Sequence, residues 1–207
     1  NSIASGGNYN VVVGDEAGTA ITTGDTNIFI GYVAGDANTT ASNNTVIGAY
    51  SFSQNTTGAS NVALGVSALG YNTTASNNTA VGMDALKLNT TGANNTAVGH
   101  NSLDANTEGG LNTAVGSASL GSNTTGVENT AVGVSSLTAN TTASYNTAMG
   151  RSALTTNTTG ANNTAIGYDA LNANTTAANN TAVGMNSLVA NTTGHSNTAV
   201  GFEAGAA

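Results

Sequence analysis

Asn78-Thr79-Ala80-Val81-Gly82, Asn95-Thr96-Ala97-Val98-Gly99 and Asn112-Thr113-Ala114-Val115-Gly116 are one string written three times, seventeen residues apart. Outward from it, the same Gly recurs as Gly14, Gly31, Gly48 and Gly65, and again as Gly133, Gly150, Gly167, Gly184 and Gly201. No insertion or deletion interrupts the twelve copies. A period that never drifts means that each copy covers the same length of path in space, as in a solenoid.

Other columns keep the same step. Asn stands four residues before every Gly, from Asn10 to Asn197, and a large apolar residue stands directly before it, such as Val13, Ile30, Leu64, Met149 or Val200. Three before the Gly the residue is always β-branched, as Val11, Ile28, Val62 or Thr. Between them lies Ala in later units and Val12, Phe29 or Val46 early on. After the Gly come two variable residues, then Ala or Ser, then usually Leu, from Leu69 to Leu188. Units typically close on Asn-Thr-Thr and Gly or Ala, as in Asn89-Thr90-Thr91-Gly92.

The short β-branched triplet bounded by Asn and Gly predicts a strand of three to five residues. No stretch repeats apolar residues at helical spacing, and a helical repeat needs ~33 residues or more. The sequence therefore predicts an all-β fold: a parallel β-solenoid of twelve 17-residue coils forming a single domain over residues 1–207. Coils ~4.8 Å apart give a rod of about 55 Å. The β-branched residue and the apolar residue before Gly, two apart, are expected to share the inward face, with Leu filling the coil from another side. Stacked Asn side chains are expected to bond along the axis, and Gly to turn the corner. Core burial per coil is modest. Association of chains is therefore expected to hide the Ala face and the side chains after the Gly (Tyr32, Met83, Tyr168, Met185, Phe202). Terminal units, about 1–43 and 197–207, depart from the pattern, with Gly18, Gly35 and Gly205 in place of Leu. Because the last coil stops at Ala207, a segment of a longer fibre is expected.

Composition narrows the function. Lys and Arg number 2 against 10 Asp and Glu, for a net charge of −8. Binding phosphate backbones or anionic membranes needs clustered cations, and Lys87 and Arg151 are far apart, so neither nucleic acid nor a membrane surface is an expected partner. With no Cys there is no disulfide or thiolate site, and no apolar run is long enough to insert into a membrane as a helix.

No catalytic, cofactor or metal site is predicted, and no cofactor is expected. His100 and His195 lie at different places in the unit and read as solvated surface residues. Asp15, Glu16, Asp84, Asp169 and Glu203 mostly follow the corner Gly and read as solubilising charge that blunts edge pairing. The Gly-Gly-x-Gly-x-Asp repeat of calcium-binding β-rolls, phosphate-loop patterns and a nucleophile elbow are all absent. Asn-x-Thr sequons occur about twice per unit, which favours a bacterial or viral origin over a glycosylating secretory pathway.

The Asn-Thr-Ala-Val-Gly strings, followed two residues later by Ala85 or Ser102, resemble the head repeat of trimeric autotransporter adhesins (YadA-like). Asn44-Thr45-Val46-Ile47-Gly48 and Asn61-Val62-Ala63-Leu64-Gly65 match that motif in part. With their Asn-Thr-Thr-Gly connections the units also resemble repeat stalks of phage and viral tail fibres. The resemblance covers Asn10 to Ala204 and implies a homotrimer of left-handed β-rolls, extracellular, at a cell surface or on a virion. The role it implies is an adhesin head or fibre shaft that meets a cell-surface receptor or glycan. Two alternatives stand beside it. One is an extracellular matrix filament. The other is an ice-binding solenoid using the Thr ladders Thr22 to Thr192 and Thr23 to Thr193, the latter broken by Glu108.

Overall fold

The computed structural model describes residues 7–206, so residues 1–6 and 207 of the atypical terminal units lie outside the described part. Twelve three-residue strands run from β1 (Val11–Val13) and β2 (Ile28–Ile30) at 17-residue steps to β12 (Thr198–Val200). They form one parallel sheet in sequence order, each strand hydrogen-bonded only to its predecessor and successor. The register is the repeat itself: Thr79 faces Thr96, Ala80 faces Ala97 and Val81 faces Val98. The chain is a β-solenoid of one coil per 17 residues, with no helix among the described residues.

Hydrogen bonds continue around the coil outside the strands. Leu103 N–H donates to Ser119 O at 3.0 Å, and Thr107 N–H to Thr124 O at 3.0 Å. Nearly the whole 17-residue path is thus tied to the coil above or below. That bonding holds a backbone with so little apolar side chain to bury.

Burial corrects the expected strand polarity. The strand centre points inward: Ala80, Ala97 and Ala114 are fully buried, as are Val46 and Phe29. The flanking Thr and Val face outward, with Val11 and Val13 about half exposed and Val115 at 36%. Alternation along a strand allows either parity, and the Leu column decides it. Leu69 through Leu171 are fully buried in the same core cluster as the strand-centre Ala side chains. In the first two coils, where the centre is Val12 or Phe29, the Leu position is Gly; the third coil instead buries Val46 together with Phe52. A Cβ on Gly35 would stand 2.9 Å from the Phe29 ring, and one on Gly18 would meet Phe29 and Ile21 at 3.0 Å. The Ala face is therefore core, and association does not cover it.

Two buried Asn ladders line the rest of the interior. In the first, each Asn before a strand accepts the backbone N–H of its counterpart one coil on, as Asn95 Oδ1 does from Asn112 N–H at 2.9 Å. In the second, Asn123 Nδ2 donates to Asn106 Oδ1 at 2.9 Å. The ladders meet: Gly126 O accepts from both Asn112 Nδ2 (2.8 Å) and Asn123 Nδ2 (3.0 Å). Buried amides are satisfied this way coil after coil. Asn146 Nδ2 is an exception, buried without a partner.

The corners use more than Gly. The residue before the first Asn ladder, the second residue after the corner Gly and the Leu all lie in the left-handed region, as Asn94 (φ 61), Asn101 (φ 53) and Leu103 (φ 53) do. Leu rarely adopts that conformation; here its complete burial offsets the strain. The corner Gly is held by a different constraint. At Gly116 φ is +131°, and an added Cβ would stand 2.5 Å from Gly133 O of the next coil.

Candidate interaction surfaces

The outward strand residue before each corner Gly builds a continuous apolar rib along the rod. Ile47, Val115, Met149 and Ile166 on it are 36–42% exposed although each has neighbours above and below. The residue after the Gly widens the rib with Tyr32, Val66, Met83, Tyr168, Met185 and Phe202. Polar residues enter only this second column, at Asp15, His100, Ser117 and Arg151, and the Arg151 guanidinium lies 5.9 Å from the Tyr168 ring centre. A contiguous apolar strip running the length of a chain is uncommon on a free monomer and marks an interaction surface.

The Thr residues divide into kinds. In the closing Asn-Thr-Thr, the first Thr hydroxyl is occupied, as Thr90 Oγ1 donates to Thr107 O at 3.0 Å. The second faces solvent, and Glu108 interrupts its rank. The strand Thr also faces outward, but its rank is broken by Val11, Ile28 and Val62.

The ionisable residues singled out in the sequence do not converge. His100 is exposed beside the rib. His195 is exposed too, but its Nδ1 accepts the Ala178 N–H at 2.9 Å, replacing the Ser144 Oγ that takes Val127 N–H three repeats earlier in the same role. Asp84 pairs with Lys87 at 3.0 Å, and Asp169 accepts from Asn172 Nδ2 at 3.2 Å. Asp15, Glu16 and Glu203 are exposed at the two ends of the rod. Among the described residues no three His, Asp or Glu side chains come together.

A non-repeating feature lies on the side of the early coils. Tyr32 and Tyr50 meet edge to face with ring centres 5.2 Å apart. The nearby Glu16 carboxylate, and to a lesser degree Tyr50, raise the Tyr32 hydroxyl above its ordinary pKa. Next to this pair is an open groove of about 350 Å³ lined by Tyr50, Ser53, Gln54, Ser67, Gly70, Tyr71 and Lys87. Sequence reading passed over it because Tyr50 and Tyr71 fall in different columns and join only across stacked coils.

Comparison of the chain with protein-family profiles, curated proteins and solved structures returned no match. The class that fold and surface define is a repetitive parallel β-solenoid with one apolar outer rib.

Proposed function

We propose that the chain is a non-enzymatic structural segment, an adhesin head or fibre shaft that spaces or presents a receptor-binding surface outside the cell or on a virion. The rib carries this reading. It repeats at the coil spacing along the rod, so the partner that matches it throughout is another rod of the same pitch. A homotrimer of left-handed coils, as the adhesin-like repeats suggest, closes three ribs around one axis.

Light scattering on the purified chain tests it. A mass near three times the 20.0 kDa of one chain supports the reading. Replacing Val98 and Val132 by Asp should return the chain to monomer with its β spectrum intact. A wild-type monomer at all concentrations contradicts it.

The outward Thr ranks favour a second reading, an ice-binding surface. Inhibition of ice recrystallisation by a monomeric chain, lost on replacing Thr142 and Thr159 by Tyr, would favour that reading over the fibre.

A further inference from the structure

We propose that the groove between Tyr50 and Tyr71 is a binding site for a short neutral saccharide. The inference deepens the reading of the rod as a presenting surface and rests on residues other than those of the rib, beside which Tyr50 packs on Tyr32.

In three later coils the side chain following the Leu caps a backbone carbonyl of the coil before. Thr138 Oγ1 donates to Ala118 O at 2.9 Å, Thr155 Oγ1 to Ser135 O at 2.8 Å, and Asn172 Nδ2 to Ser152 O at 3.1 Å. The residue in that column here is Gly70, and the carbonyl it would cap is that of Tyr50. A missing side chain thus opens the groove floor and leaves a carbonyl facing it without the side-chain donor used elsewhere. Gly70 has no conformational need to be Gly, since it lies outside the positive-φ set. Its Cβ would have only the tight neighbours Ser67 O at 3.1 Å and Tyr50 O at 3.4 Å.

The walls supply complementary chemistry. Tyr50 and Tyr71, 48% and 44% exposed, line the groove as its aromatic residues; Ser67 and Gln54 add polar residues to the lining. Aromatic faces beside a few convergent polar groups, in a groove of several hundred Å³, suit a ring that is apolar on its faces and hydroxylated at its edge. A sugar hydroxyl would donate to Tyr50 O. The ligand is neutral because Lys87 is already paired with Asp84 at 3.0 Å and the chain carries net charge −8. Gly121 occupies the same column as Gly70, but no aromatic residue flanks it and Asp104 Oδ1 stands 3.4 Å from where its Cβ would be. It serves as an internal control.

The test is amide NMR of the full chain titrated with lactose, cellobiose and N,N′-diacetylchitobiose at millimolar concentrations. The expected result is saturable shifts at Gly70, Tyr71 and Ser67 with at least one of the three, and none at Gly121. Gly70→Thr puts into the groove the side chain that this column already holds at Thr138, so the coil keeps its fold, as its own spectrum will report. It should weaken binding by about tenfold or more. Absence of a saturable shift with all three sugars, or equal binding by Gly70→Thr, would overturn the proposal. The mass of the same sample reads the rod's association separately, so an associated rod that ignores sugars and a monomer that binds them are distinct results.

Discussion

Gly116 and Gly70 are Gly for opposite reasons, and substitution should separate them. At Gly116 the positive φ and the approach of Gly133 O forbid a Cβ. Gly116→Ala is expected to lower unfolding stability by about 3 kcal/mol or more in a denaturant titration. Gly70→Ala should change it by less than ~1 kcal/mol. The strict Gly column was legible from sequence; the left-handed Leu beside it was not, because Leu ordinarily avoids that region and only its burial reveals why it is there. Asp104 gives a further residue-scale test. Burial raises its carboxyl above the ordinary 3.8, and Asp36 is raised for the same first cause. The folded chain therefore holds these protons more tightly than the unfolded chain. Their contribution favours the fold most below pH 3.8 and is lost as pH rises through the raised values. Asp104→Asn should flatten the stability profile in this acid range and raise the thermal midpoint at neutral pH.

Within one coil, strand and Leu side chains share a fixed volume. Gly35→Leu alone drives a side chain into the Phe29 ring, and Phe29→Ala alone leaves a cavity costing about 3–5 kcal/mol. The double variant Phe29→Ala, Gly35→Leu recreates the pairing of the middle coils and should recover most of that loss, a strongly non-additive cycle. That exchange was also the sequence signal for strand parity. In the first two coils the large centres Val12 and Phe29 coincide with Gly18 and Gly35, which points to both columns sharing one interior, although Val46 and Phe52 are both large in the third. Apolarity alone misled, because Val and Ile before the Gly are apolar and yet point outward. The first Asn ladder was legible as a repeating column. The role of the second, at Asn106 and Asn123, was not, since Asn-Thr-Thr reads equally well as a turn. Asn123→Ala breaks the ladder on both sides, taking the acceptor from one of the two Asn140 Nδ2 hydrogen bonds and the Nδ2 donor from Asn106 Oδ1 and Gly126 O, and should cost about 2–4 kcal/mol by denaturant titration.

At the scale of the molecule, an exact period gives a rod, and strand parity decides what the rod displays. With Ala inside, Val, Ile, Leu and Met line one outer rib, while Tyr50, Gly70 and Tyr71, which break the period, meet at the groove. Because the chain has no native Cys, one introduced thiol reports on the rib without background. The most direct measurement is the rate at which Val115→Cys reacts with a small thiol reagent in the native protein, referred to Thr176→Cys on the exposed Thr rank. The account predicts a free-thiol rate at Thr176 and strong protection at Val115, relieved when the Val98→Asp, Val132→Asp changes are added. Equal, fast reaction at both positions in the wild-type background would show that nothing covers the rib, and would contradict the fibre reading.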